Sequence, residues 1–269
     1  MREEDVRSSD RGPELPRSCS DAISSENLQD ALRRRSAEID AVTNELDAYA
    51  FGISHHLRAP IRVIDEAAKA LLAENSFSLS AKNRDQLRRL VREASYMASL
   101  SNALLELSRV GRALLKPELH NIRALLKPII LKLKATVPGR PAAFQVPHDL
   151  EICGDFDLLR TAFGHILENA WKFTAGISPT EILVGSDRSG HEKVIFIRDN
   201  GIGFDPAHQD RLFVPFGTLH SRTDFPGHGL GLAIVRRIVH RHHGRIWATG
   251  KPDQGATFYM AFPENGSID

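Results

Sequence analysis

Apolar residues at Ile39, Val42, Leu46, Tyr49, Ile53, Leu57 and Ile64 recur three, four and seven positions apart. On an α-helix those spacings draw a single stripe. A second stripe runs through Leu87, Val91 (or Leu90), Ala94, Met97, Ser101, Leu104 and Ser108, with a period of about 3.5, the seam of a coiled coil or helix bundle. Between them, Asn75-Ser76-Phe77-Ser78-Leu79-Ser80 supplies turn residues and an N-cap. Two long helices joined by a short turn form a hairpin. A lone hairpin buries little apolar surface, so it must pack on a second copy or on the rest of its own chain. A homodimer forming a four-helix bundle is the expectation.

The first helix also carries a group off its stripe, in the run Ile53-Ser54-His55-His56-Leu57-Arg58-Ala59-Pro60. At about 100° per residue, His55 lies roughly 200° round from Ile53 and projects into solvent. An exposed imidazole can act as nucleophile, base or ligand. It can equally be an ordinary surface histidine, and the rest of the chain decides between the two.

Residues 1–24 mix charged, Ser, Pro and Gly residues without apolar spacing and are expected to be disordered. The hairpin occupies 25–112, a linker 113–118, and a second domain 119–269. That domain reads as helices over 122–136, 157–173 and 230–242, with strands over 143–146, 150–153, 181–186, 193–198, 245–249 and 256–262. Such alternation indicates an α/β layer domain. The polar loop over 204–226 is long enough to imply function.

The 269 residues suit two domains. A net charge of +1 offers no footprint for nucleic acid or a membrane surface. No apolar run approaches the roughly 20 residues of a spanning helix; the best, 124–130, is broken by Lys127 and Pro128. The polar, acidic start is not a signal peptide. Cys19 and Cys153 form no CxxC pair, which suits a reducing cytoplasm. The expectation is a cytoplasmic protein without membrane insertion or nucleic-acid partner.

Three short motifs in the second domain carry chemistry. Glu168-Asn169-Ala170-Trp171-Lys172-Phe173-Thr174 sets Asn169 and Lys172 three apart on a helix, where an amide oxygen can ligate Mg2+ and an ammonium can neutralise phosphate. Asp199-Asn200-Gly201-Ile202-Gly203-Phe204 follows a strand. A carboxylate there can accept from an exocyclic amine, while glycine lets backbone approach a ring. Gly227-His228-Gly229-Leu230-Gly231 runs into a helix, exposing N–H groups to a polyphosphate. A dinucleotide fingerprint would need a preceding strand, and here a loop precedes it. Each motif alone is weak.

In this order the motifs resemble the H, N, G1 and G2 boxes of sensor histidine kinases. Leu212-Phe213-Val214-Pro215-Phe216 is similar to the F box, and Gly255-Ala256-Thr257-Phe258 to the closing glycine–threonine motif. The wording is nearest to the phytochrome-like branch. The resemblance implies a dimerisation and phosphotransfer hairpin followed by an α/β sandwich ATP-binding domain of the gyrase/Hsp90/kinase superfamily. It implies His55 as phosphoacceptor, flanked by His56. Asn169 would hold Mg2+, Lys172 the phosphates, and Asp199 the adenine amine, with Gly201 and Gly203 beside the ring. Gly227, Gly229 and Gly231 would form the hinge of the lid and its phosphate contact, Phe213, Phe216 and Leu230 would also belong to the ATP site, and Thr257 would support the adenine pocket. The reaction implied is ATP-dependent autophosphorylation of His55 and transfer to an aspartate of a response regulator receiver domain.

Four positions depart from the family pattern. His56 replaces the acid after the phosphoacceptor, and Ala59 the Thr or Asn four residues on. His165 replaces the first Asn of the N box, and Thr218 stands near where an Arg follows the F box. Those departures keep a second expectation open, a degenerate kinase acting as a nucleotide-binding dimeric scaffold or phosphotransfer adaptor.

Overall fold

The computed structural model describes residues 35, 48, 50–73, 79–219, 225 and 227–263. Residues 47–269 form one compact unit. The expected disordered segment, Cys19 and the stripe positions Ile39, Val42, Leu46 and Tyr49 lie outside the described residues. Among the described residues no helix is long and apolar enough to cross a membrane.

Helix α1 covers residues 50–73 and helix α2 Ala81–Arg112. Ser80 caps α2 as expected, its hydroxyl accepting from the Asn83 N–H at 3.2 Å. The two helices lie side by side: Ser101 Oγ donates to the Ser54 carbonyl at 2.7 Å, and Arg58 Nη2 to Asn102 Oδ1 at 2.8 Å. The α1 face buried within the chain is not the expected stripe. Ser54, Ile61 and Ala68 are buried, whereas Ile53, Leu57 and Ile64 are 59%, 42% and 50% exposed. On α2 the expected Ala94, Ser101 and Ser108 are buried, and Met97 is exposed. Small residues share the seam between the helices with Ile61 and Leu105, and the aliphatic stripe of Ile53, Leu57 and Ile64 points away from it.

Strand β1 (Pro117–Asn121) pairs antiparallel with β3 (Glu151–Asp155) in a two-stranded sheet. The sequence pattern predicts no strand at β1, because Pro-Glu-Leu-His-Asn has no apolar alternation and pairs along one edge only. A five-stranded sheet follows, ordered β2-β4-β5-β7-β6 from β2 (Ala142–Gln145), β4 (Thr180–Ser189), β5 (Glu192–Asp199), β6 (Arg245–Gly250) and β7 (Ala256–Pro263). Only β2–β4 is parallel. Ile182, Val184, Ile195, Ile197, Ala248, Phe258 and Met260 point from one face into the core. They meet helices α3 (Ile122–Thr136), α4 (Phe156–Phe173) and α5 (Gly231–Arg241) through Leu126, Phe163, Ile166, Ile234 and Ile238. On the other face Phe196, Tyr259 and Trp247 stand in one cross-strand row. The loop after β5 contains a short 3-10 helix, Pro206–Arg211.

Helix α4 is fixed at both ends. Asp155 Oδ1 accepts the Leu158 N–H at 3.1 Å. At the C-terminus, Arg140 donates to the Trp171 carbonyl and to Thr174 Oγ1, both at 2.8 Å, and its guanidinium lies 4.0 Å from the Trp171 ring centroid. This clamp sets the height of the Asn169–Lys172 turn against the sheet.

Of the histidines near the end of α5, expected only to suit its dipole, His242 does more. Its ring is buried, Nδ1 donates to the Ile238 carbonyl at 2.8 Å, and Nε2 accepts the Asp155 N–H at 3.0 Å. Both nitrogens are occupied in the neutral form, and burial pushes its pKa below the ordinary histidine value. The unfolded chain therefore takes up the proton first, so this stability is full above about pH 6.5 and is lost as pH falls below it. His242→Ala should cost about 2–4 kcal/mol at pH 7.5 by urea denaturation, from two lost hydrogen bonds and a cavity. It should also flatten the decline in stability between pH 7 and pH 5.

Candidate nucleotide site

The sheet ends in a buried acid. Asp199 closes β5 on the helix-facing side and is 4% exposed. Its Oδ1 accepts the N–H of Gly201 at 2.9 Å and of Ala256 at 3.3 Å. Burial nonetheless raises its pKa from 3.8 to about 6, the two N–H bonds opposing the shift. Both bonds fall on one oxygen, so Oδ2 is the one left to face a ligand.

Gly201 sits between that carboxylate and the end of α4. A Cβ there would lie 2.7 Å from both Asp199 Oδ1 and the Phe173 carbonyl oxygen. Its hydrogen is needed for this close approach, rather than for space beside a bound ring as expected. Gly203 has φ +63°, and a Cβ would run into the Lys251 carbonyl. The loop is pinned by Ile202 N–H to Phe173 O at 3.2 Å and Asp253 N–H to Ile202 O at 2.7 Å. The aspartate–glycine motif thus joins β5, α4 and the β6–β7 turn.

A cavity of about 290 Å³ opens over Asp199. Asn169 and Lys172 of α4, Gly203, and Gly227, Gly229 and Gly231 before and within α5 all line it, bringing together residues widely separated in sequence. Apolar walls come from Phe204, Leu212 and Phe258. Lys172 is drawn below the ordinary lysine pKa by burial, and its Nζ lies 4.2 Å from the Phe173 ring centroid. The cavity pairs one buried carboxylate with an ammonium and a glycine-rich helix start, a set that suits an amine-bearing ring at one end and an anionic tail at the other.

Several expected residues lie elsewhere. Thr257 alternates with the lining residues Ala256 and Phe258, so its hydroxyl faces the opposite side of the sheet and accepts from Arg198 Nε at 3.3 Å. Phe213 lies in a separate surface hollow with Leu107 of α2 and Ala233 of α5. The Phe216 ring is 59% exposed, at a residue with φ +63°. The backbone after it does the work, since a Cβ at Gly229 would lie 2.7 Å from Gly217 O. Leu230 is fully buried in the core, its N–H donating to His228 Nδ1 at 3.2 Å. His55 and His56 are exposed on α1, ring centroids 5.7 Å apart, with the Phe51 ring stacked 6.2 Å from His55. Neither lines the cavity.

Two of the four departures from the family pattern, His165 and Thr218, also line the cavity, as do Glu168 and His228, to which no role was assigned. The helical spacing of His165 to Asn169 and Lys172 places it one turn away on their face, a signal present in the sequence. Among the described residues, no group of three His, Cys, Asp or Glu could hold a metal by itself.

Residues 49–113 match the His Kinase A (phospho-acceptor) domain, and residues 154–266 match the family described as Histidine kinase-, DNA gyrase B-, and HSP90-like ATPase. Both modules of one signalling enzyme family are present, in order. The chain belongs to the sensor histidine kinases.

This kinase core is 30% identical over 240 residues to Cyanobacterial phytochrome A of Nostoc sp. strain PCC 7120, covering 88% of this chain and 31% of that one. It is 31% identical over 249 residues to the Sensor-like histidine kinase SenX3 of Mycobacterium tuberculosis, covering 87% and 56%. The kinase core therefore spans about a third to a half of these relatives' length. The crystal structure of full-length ShkA in complex with AMPPNP superposes with a TM-score of 0.58 at 25% identity, covering 80% of this chain and 45% of that one. The Acinetobacter baumannii histidine kinase AdeS shares the fold, with a TM-score of 0.53 at 19% identity over 78% of this chain and 98% of that one.

Asp199→Asn tests the carboxylate's place in the site. The amide oxygen can keep both backbone bonds, so melting should stay within a few degrees of wild type, while the amide NH2 turns a donor toward any exocyclic amine. Adenosine binding measured by calorimetry should weaken by roughly a hundredfold or more.

Proposed function

We propose that the kinase core transfers the γ-phosphoryl group of ATP to His55 and passes it to an aspartate of a response regulator receiver domain. The observation that carries this reading is the buried Asp199 carboxylate at the floor of a cavity that also holds Lys172, Asn169 and the glycine-rich start of α5, in a chain that carries the exposed His55 on a second module. Asp199 Oδ2 accepts the adenine amine, and the apolar walls hold the ring. Lys172 neutralises phosphate charge, and N–H groups at Gly227, Gly229 and Gly231 face the polyphosphate.

Mg2+ takes oxygen ligands and is commonly bound through one or two protein groups with substrate phosphates. Asn169, with Glu168 beside it in the cavity lining, fits that need. When bound, the ion would neutralise charge developing on the phosphates.

In the transfer step one imidazole nitrogen of His55 forms a bond to the γ-phosphorus, the bond from that phosphorus to the β,γ-bridging oxygen breaks, and ADP leaves with the electron pair. The other nitrogen gives up its proton. His56 beside it can accept that proton only when neutral, and it supplies no negative charge.

The exposed Ile53, Leu57, Ile64 and Leu71 of α1, with Leu90 and Met97 of α2, support a homodimer in which a second hairpin completes a four-helix bundle. ATP as phosphoryl donor supports a cytoplasmic site for the reaction.

Incubation with γ-labelled ATP tests the reading. Wild type should acquire label that is lost in acid and kept in alkali, as a phosphorus–nitrogen bond requires. His55→Ala should bind ATP within about twofold of wild type and acquire none. Label retained by His55→Ala would reassign the phosphoacceptor, and a wild type that binds ATP without labelling would make the chain a nucleotide-binding scaffold.

A further inference from the structure

At the phosphate end of the cavity the hairpin meets the lining residue His165. Glu106, in the last two turns of α2, accepts a hydrogen bond on Oε2 from His165 Nε2 at 2.9 Å. A carboxylate accepts only, so Nε2 carries the proton. On its other side His165 abuts the start of α5, where a Cβ at Gly231 would lie 3.2 Å from Nδ1. The imidazole is 19% exposed and Glu106 39% exposed. The ring is therefore held in place, whereas the carboxylate can swing out into water.

Elsewhere α2 meets the ATP domain through groups indifferent to an anion in the cavity. Leu100, Leu104 and Leu107 pack on the domain core, Ala103 and Val110 are buried in it, and Arg241 donates to the Val110 carbonyl. Glu106 belongs instead to the electrostatic neighbourhood of the cavity: burial lowers the pKa of His228, His165 and Lys172 lower it further, and Glu106 opposes the shift. Two carboxylates of the protein stand at this end: Glu168 in the cavity lining, its Oε2 4.0 Å from His165 Nδ1, and Glu106 on the hairpin side of the same ring.

We propose that Glu106 is a displaceable anionic gate, competing with the polyphosphate of ATP for His165, so that nucleotide binding and this α2 contact oppose one another. The proposal rests on the nucleotide reading of the cavity. A single imidazole N–H directs its bond at one acceptor, and a carboxylate beside a triphosphate is repelled by every charge that arrives. Binding must expel Glu106 from His165. By reciprocity, a hairpin movement that withdraws Glu106 strengthens nucleotide binding. The gate thus ties the state of the phosphotransfer helix to occupancy of the ATP site.

Calorimetric titration of Glu106→Gln with ATP and separately with adenosine tests it. Gln keeps the shape and an acceptor oxygen but removes the charge. ATP should bind roughly three- to tenfold more tightly than to wild type, and adenosine with unchanged affinity, since it brings no phosphate. Glu106→Ala should shift ATP affinity in the same direction. In a His165→Ala background the Glu106→Gln gain should shrink to under about twofold. Unchanged or weaker ATP binding overturns the gate, and so does an equal change for adenosine, which would mark a general disturbance of the fold. A wild type that binds neither ligand overturns the nucleotide reading and the gate with it, an outcome distinct from the others.

Discussion

The structure turns on a carboxylate held where water is scarce. Asp199 takes two backbone N–H groups on one oxygen, and through them fixes the end of β5, the glycine loop and the start of β7. The same loop is tied to the last turn of α4 by Ile202, and α4 carries Asn169 and Lys172. On the proposed reading of the cavity, adenine recognition and phosphate recognition are therefore positioned by one set of bonds. That arrangement is poor for stability. A carboxyl whose pKa rises to about 6 on folding destabilises the native state increasingly as pH climbs from 3.8 toward 6. A destabilising buried carboxyl of this kind is what a functional site requires, in keeping with the role proposed for Asp199.

A second constraint is the double duty of α2. Ala94, Ser101 and Ser108 are buried on the hairpin side, while Ala103 and Val110, with Leu104 and Leu107, join the core of the ATP domain. One rigid helix carries both packings, so a rotation or shift of α2 on α1 is felt directly at α5.

Much of this was legible in the sequence. Strands β4 to β7 and helices α3 to α5 stand close to where apolar period and turn residues place them, because each buries one well-defined face. The motif residues Asn169, Lys172, Asp199, Gly203, Gly227, Gly229 and Gly231 do meet in one cavity. The failures share a cause, which is direction. Thr257 lies at the right height on β7 but on the wrong side of a pleat. The Ile53–Leu57–Ile64 stripe is real, yet faces away from α2. Phe213 and Phe216 are in the right loop, but it is the backbone of that loop which approaches Gly229. The Arg140 clamp and the Glu106–His165 contact join residues that share no local pattern, so no spacing announces them.

Nucleotide recognition in this cavity requires Asp199 to be a buried, ionisable acceptor whose second oxygen serves the ligand. Its own titration, followed by carboxyl-carbon NMR in the ligand-free protein with the signal assigned by Asp199→Asn, measures this directly. An apparent pKa of about 6 is expected. It should move down when ATP is bound, because a ligand amine donating to the carboxylate favours the ionised form. A value near 3.8 in the free protein, or one that ATP leaves unmoved, would contradict the account.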